Sequence, residues 1–176
     1  MVEVFIALGS NLGDRGAALR AGLTGLELRG LPPIHVSAVW ETEPAEGVGG
    51  GRFWNMAATA LSGARPMELL GALLEIEAEH GRTRNGRSRA RSLDLDLLLV
   101  GDALVDEPGL TLPHPRMWQR RFVLAPLAEI APDLRDPRGG PTVAERLAAL
   151  PPEPGARRLG PLSEVYTPRH GETIRR

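Results

Sequence analysis

VEVFIALGSNLG, running from Val2 to Gly13, begins as an apolar run of strand length and stops in a glycine-bounded turn, Gly9 to Gly13. A helix follows it. Asp14 stands near the start, Leu19, Leu23 and Leu26 share one face, and Gly30 with Pro32 ends it. IHVSAVWE, Ile34 to Glu41, alternates as a second strand, and Phe53 to Leu61 reads as a third. These two pair across a loop rich in Gly, Glu and Pro from Thr42 to Arg52. Pro66 opens a second helix that runs to His80 and stops at Gly81. After an arginine-rich loop, Gly86 to Arg91, the stretch Leu93 to Val100 forms a fourth strand, and its apolar run predicts a central one. The order β-α-β-β-α-β predicts an α+β, ferredoxin-like fold: one antiparallel sheet with both helices packed on one face.

Irregular chain then leads through Leu112-Pro113-His114-Pro115 to a short helical stretch between Met117 and Ile130, with a further helix from Thr142 to Leu150. The expected organisation is a single domain over 1–150 followed by a Pro- and Arg-rich tail, 151–176, weakly ordered except where it docks. Such a fold serves many functions, so function has to be read from its sites.

Composition narrows the choice. The chain has 176 residues and a formal net charge of -1, which favours neither nucleic acid nor membrane in bulk. Its first apolar run is too short for a signal-peptide core, and no stretch reaches bilayer-spanning length. A cytoplasmic protein is expected. Cysteine is absent, which removes disulfides and thiolate chemistry. Lysine is absent too, so the Walker phosphate loop, the protein-kinase strand lysine and Schiff-base mechanisms are excluded. Any phosphate must be handled by arginine and metal. The histidines, His35, His80, His114 and His170, are scattered without zinc-ligand spacing.

The chemistry concentrates in RSLDLDLLLV, Arg91 to Val100. On a strand Asp94 and Asp96 point to one face, with Leu93, Leu95, Leu97 and Leu99 on the other. Paired carboxylates need a cation. A hard divalent ion completed by phosphate oxygens, Mg2+, answers that need, whereas simple solvent exposure or arginine pairing is the plain alternative. Arg82, Arg84, Arg87, Arg89 and Arg91 crowd the approach with forked donors that suit phosphate. An RNA-binding loop would also be arginine-rich, but it would add aromatics for base stacking, and this one has none. Glu77 falls on the apolar stripe formed by Met67, Leu70, Leu73 and Leu74 in the second helix, where it either pairs with arginine or lines a site. Phe53, Asn55 and Phe122 could hold a flat heteroaromatic ring by stacking and an amide contact, core packing being the alternative for each aromatic taken alone. The turn Gly9 to Gly13 could cradle an anion at a helix start.

In motif order these pieces resemble the 6-hydroxymethyl-7,8-dihydropterin pyrophosphokinase family over roughly Met1 to Leu150. They are GSNLG at Gly9 to Gly13, Thr42 with Pro44, Phe53-Trp54-Asn55, Glu77, and GRTR at Gly81 to Arg84. RSLDLDLL at Arg91 to Leu98, LPHP at Leu112 to Pro115 and RRF at Arg120 to Phe122 complete the set. The resemblance implies transfer of the β,γ-diphosphate of ATP to the pterin's hydroxymethyl group by a monomer. It implies Asp94 and Asp96 as ligands of two Mg2+ ions and Arg82 and Arg91 as phosphate clamps, these four being the catalytic set. It implies a pterin pocket of Thr42, Pro44, Ala45, Phe53, Asn55 and Phe122. Nucleotide contacts would come from Glu77, Arg82, Arg84, Arg91, Leu97, Thr111, His114 and Arg120. Three positions depart from the family pattern. Arg87-Ser88-Arg89-Ala90-Arg91 lacks the tryptophan common before the acidic strand, Phe53 stands where tyrosine is frequent, and Pro115 replaces a common tyrosine. An RNA-binding module and a metal-dependent nuclease or nucleotidyl transferase are the rival classes.

Overall fold

A computed structural model describes residues 1–44, 49–81 and 92–165 of the chain. In order it forms β1 (Val2–Ser10), α1 (Arg15–Leu28), β2 (His35–Val36), β3 (Val39–Thr42), β4 (Phe53–Ser62), α2 (Pro66–Glu79) and β5 (Asp94–Val100). A hairpin of β6 (Val105–Glu107) and β7 (Leu110–Leu112) follows, then a 3-10 turn (Met117–Gln119), α3 (Arg121–Ile130), α4 (Val143–Ala149), β8 (Arg157–Gly160) and α5 (Leu162–Val165). The main sheet runs β5-β1-β4-β3-β8, with β2 also on β4, and every pairing is antiparallel. Its first four strands and α1 and α2 are the βαββαβ arrangement predicted from the alternation of periods.

Local chemistry explains the helices. The Asp14 carboxylate accepts the Ala17 N–H at 3.0 Å and starts α1. Pro66 opens α2, and the Glu68 carboxylate takes the Arg65 N–H at 2.9 Å. A side chain at Gly25 of α1 would put its Cβ 2.8 Å from the Ile76 Cγ2, so the close crossing of α1 on α2 requires glycine there. Between these helices and the sheet lies one core, with Leu8, Leu19, Leu26, Leu73, Ile76 and Leu93 at its centre. The second core, around Phe5, Leu99, Val123, Leu124, Leu127 and Val143, sits under α3 and α4. The expected one-sided packing therefore holds for α1 and α2, which α5 joins through Leu162 and Val165, while α3 and α4 cover the other face.

Several elements differ from the sequence reading, each for a visible reason. The second strand is broken at Ser37-Ala38. There the Ser37 hydroxyl, in place of a backbone carbonyl, accepts the Ala57 N–H at 2.9 Å, while the Ala38 N–H turns to Glu129 at 3.0 Å. The acidic strand is not central: β5 is the last strand of the sheet. It is apolar because its exposed flank is covered. Glu77 Oε1 accepts the Leu95 N–H at 2.7 Å, and the Leu98 carbonyl accepts the His114 N–H at 2.8 Å. A register shift opposite Phe5 and Ile6 also moves Leu99 onto the α3 face with Phe5, whereas Leu93, Leu95 and Leu97 stay beneath α1 and α2. In α2 the buried line is Leu69, Leu73, Ile76 and Glu77, and Met67 is exposed. Much of the chain between β5 and LPHP, expected to be irregular, folds as the β6–β7 hairpin. Downstream of Pro151, β8 pairs with β3.

Glu41 is a junction for four elements. Its carboxylate takes bonds from Arg15 (3.2 Å), Arg52 (3.3 Å), Arg157 (3.3 Å) and the Trp54 indole (3.1 Å). Burial alone would push its pKa up, but the bonds from Trp54, Arg52 and Arg15 outweigh that and hold it below the usual carboxylate range. A depressed carboxyl stabilises the fold above its unfolded pKa and loses that contribution as pH falls through the folded value. We therefore expect Glu41→Gln to cost on the order of 1–3 kcal/mol at pH 7. In urea titrations from pH 7 to pH 3 the wild-type stability should fall with acidification. The variant should fall by less, and parallel curves would refute the assignment.

Candidate active site

Register assembles the site. Gly9 of β1 pairs with Asn55 of β4 on one side and Asp94 of β5 on the other. One step along, Ala7 pairs with Ala57 and Asp96. Asp94, Asp96 and Asn55 thus stand on one face of the sheet with only Gly9, Ala7 and Ala57 among them. The strand does not end at Leu8, as the turn reading held, but continues to Ser10, which is what brings Gly9 into this row. A Cβ built on Gly9 would lie 3.5 Å from Asn55 Oδ1 and 3.9 Å from Asp94 Cβ. A glycine inside a strand pattern is the sequence signal for such an approach, and the turn reading obscured it.

From above, α3 contributes Phe122 and Val123. Gly9, Asn55, Asp94, Asp96 and Phe122 line one cavity of about 30 Å³. That is room for a few waters, and a bicyclic ring enters only if Phe122 or the chain beside it shifts. The Asn55 amide donates to Thr42 Oγ1 at 3.0 Å, which turns its carbonyl oxygen toward Gly9. Phe53, half-buried, begins β4 opposite Thr42 and two residues before Asn55, hence on the same face; it does not line this cavity. Pro44 follows in the chain, half-buried, and Ala45 lies outside the described residues.

A second cavity, about 360 Å³, opens between α2, β5 and the β6–β7 hairpin. Asp96, Leu97, Thr111 and His114 line it, with Leu70 and Leu74 as an apolar wall. Asp96 therefore belongs to both cavities. His114 has its pKa lowered, first by burial and further by Arg120 and Arg116, against the raising effect of Asp96. Its Nδ1 accepts the Arg116 N–H at 3.3 Å, leaving Nε2–H as the donor of a neutral ring. Arg120 caps the start of α3 and lies over the Phe122 ring at 5.4 Å.

Glu77 is placed differently from the rest. It is 1% exposed, its carboxylate holds the peptide N–H between the two aspartates, and it does not line the larger cavity. In the GSNLG turn the Asn11 amide donates to the Gly49 carbonyl at 2.9 Å and ties down the glycine turn before β4. Arg82, Arg84, Arg87, Arg89 and Arg91 lie outside the described residues. Their downstream stem is fastened, since the Ser92 hydroxyl donates to the His80 carbonyl at 2.7 Å.

The donor set suits one class of metal. Among the described residues no group of three or more His, Cys, Asp or Glu could hold an ion alone. Two carboxylates on one strand beside a bare glycine match a hard cation that keeps waters or phosphate oxygens as its other ligands. They do not match zinc or a caged calcium.

The chain is similar to known proteins in sequence and in fold. The chain is 43% identical over 160 residues to the 2-amino-4-hydroxy-6-hydroxymethyldihydropteridine pyrophosphokinase of Pseudomonas aeruginosa, covering 89% of this chain and 96% of that one. It is 43% identical over 127 residues to the Bacillus subtilis enzyme of the same name, covering 72% and 76%. In fold it is similar to a crystal structure of Plasmodium falciparum HPPK-DHPS, with a TM-score of 0.69 and 13% identity over 84% of this chain. That match spans 45% of the longer Plasmodium chain, and at such identity it speaks for the fold alone. Residues 5–132, which run from within β1 through α3 and include both cavities, match the family model for 7,8-dihydro-6-hydroxymethylpterin-pyrophosphokinase, and the chain belongs to that family.

Proposed function

We propose that the protein transfers the β,γ-diphosphate of ATP to the hydroxymethyl group of 6-hydroxymethyl-7,8-dihydropterin in folate biosynthesis, giving AMP and the pterin diphosphate. The observation that carries the reading is the position of Asp96, which lines both cavities. A nucleotide in the larger cavity and a pterin beside Asn55 and Phe122 would meet at that carboxylate.

In this reading Phe53 and Phe122 flank the pterin ring, and Asn55 reads its edge with the carbonyl that Thr42 orients. Pro44 and Ala45 complete that pocket. Leu70 and Leu74 bed the base, Leu97 and Thr111 contact the nucleotide, and His114 donates Nε2–H to a phosphate or ribose oxygen. Arg82, Arg84, Arg91 and Arg120 offer forked donors to the polyphosphate. Glu77 assists the nucleotide site by holding β5 in register. Asp94 and Asp96 would hold two Mg2+ ions, which supply charge neutralisation on the phosphates and polarisation of the β-phosphoryl group. The pterin oxygen attacks the β-phosphorus in line. The new O–P bond forms as the bond from the β-phosphorus to the α,β-bridging oxygen breaks; AMP leaves with that oxygen, and the hydroxyl proton is released to the medium. The chain's own contribution is placement: it sets nucleophile and phosphorus together and keeps water out. The protein acts as a monomer on these two small molecules.

Incubation with ATP, Mg2+ and the reduced pterin alcohol should yield AMP and pterin diphosphate by mass. Inorganic pyrophosphate or a nucleotidylated product would point to a nucleotidyl transferase instead. Asp96→Ala should lower kcat by at least about a hundredfold while the pterin Kd changes by less than about threefold. Equal loss of both sinks the metal role.

Gly9→Val tests the slot itself. A branched side chain suits a strand, so the fold should persist by circular dichroism. Its methyls would fill the space between Asn55 and Asp94, and pterin affinity measured by calorimetry should drop at least about tenfold. Unchanged affinity would place the pterin elsewhere.

A further inference from the structure

Strand β8 lies beyond the segment matched by the family model, yet it forms the outer neighbour of β3. Its two consecutive arginines leave the strand on opposite faces. Arg157 pairs in register with Glu41 and Arg158 with Trp40. On the α1 face Arg157 meets Glu41 Oε2 at 3.3 Å. On the α3 face Arg158 Nε meets Glu129 Oε1 at 2.8 Å. Glu129 also accepts the Trp40 indole N–H at 2.9 Å and the Ala38 N–H at 3.0 Å. One carboxylate thus joins β8, β3 and α3.

Those are the elements that form the pterin end of the site. Strand β3 ends at Thr42, whose hydroxyl orients Asn55, and Glu41 is the residue before it. Helix α3 carries Phe122. The strand β3 makes three register pairs with β4 on one side and three with β8 on the other, so β8 is its outer neighbour in the sheet.

We infer that Arg157 and Arg158 are positioning residues for the pterin: through Glu41 and Glu129 they hold β3 and α3 at the separation that lets Asn55 and Phe122 address one ring. This rests on the pterin pocket proposed above. Neither arginine lines either cavity, so neither touches substrate. Both are largely exposed, with side chains 67% and 53% accessible, and each pair alone is weak. Their effect is joint, because they act on opposite faces of the same strand.

The test is steady-state kinetics on the full chain with Mg2+, comparing wild type, Arg157→Ala/Arg158→Ala, Arg157→Lys/Arg158→Lys, and Asn55→Ala. The double alanine variant should raise the pterin KM roughly threefold to tenfold, with kcat and the ATP KM within about twofold. The lysine pair keeps both charges and should recover most of the loss. If pterin KM, ATP KM and kcat worsen together in proportion to a fall in Tm, the arginines are merely structural and the inference is overturned. It is equally overturned if Asn55→Ala raises the pterin KM and the double alanine variant does not. An unchanged pterin KM in Asn55→Ala overturns the pocket reading itself.

Discussion

The register of three adjacent strands is the constraint on which the site depends. Because β1 lies between β5 and β4, the residue at Gly9 separates an aspartate from an asparagine, and having no side chain it leaves them a common space. A slip of one residue on either side would send Asp94 and Asp96, or Asn55, to the opposite face, into the core beneath α1 and α2. The register is fixed by apolar burial on that opposite face, where Leu8 and Leu93 are almost wholly enclosed. Core packing and site geometry are therefore one requirement: the alternation that buries the leucines is what aligns the polar side chains.

Much of this was legible in the chain. Alternation and helical period marked the βαββαβ order, and an Asp-x-Asp in an apolar strand marked the acidic pair. The failures share a cause, since burial pattern does not record what does the burying. The run from Asp94 to Val100 is as apolar as an interior strand, but one flank is sealed by the Glu77 carboxylate and the His114 amide instead of another strand. Alternation likewise misplaced Leu99, because a bulge is a property of two paired strands and cannot be read in one. The break at Ser37 depends on Glu129, distant in sequence, capturing the Ala38 amide.

For the site, residues whose chemistry stands alone were the readable ones. Asp94 and Asp96 stood out by residue type, whereas Thr111 and His114 were expected only through the family resemblance; Asp94 lines the smaller cavity, Thr111 and His114 the larger, and Asp96 both. Residues that act through others were less so. Glu77 looked like either an arginine partner or a site acid, and its Oε1 accepts the backbone N–H between the two aspartates. Gly9 looked like a turn, and Thr42 gave no hint that its hydroxyl would set the Asn55 amide. These are relations across paired strands, and a linear pattern carries no term for them.

The two cavities differ in how they are walled, and the difference fits the chemistry proposed. The larger one has Leu70 and Leu74 on a helix, a hairpin and a stretch of β5 whose backbone is tied down, so it stands open at about 360 Å³. The smaller one has only about 30 Å³, with Phe122 and Val123 of α3 set over Asn55, Asp94 and Asp96. A polyphosphate needs a standing bed of donors and metal ligands, whereas a flat ring gains most when aromatic faces close on it after entry. Asp96, common to both, is held on a strand that pairs with β1 on one side and is met by Glu77 at the Leu95 N–H and by the His114 N–H at the Leu98 carbonyl on the other. In the function proposed, the carboxylate where the two substrates meet stands on a paired strand, and widening of the smaller cavity falls to Phe122 on α3.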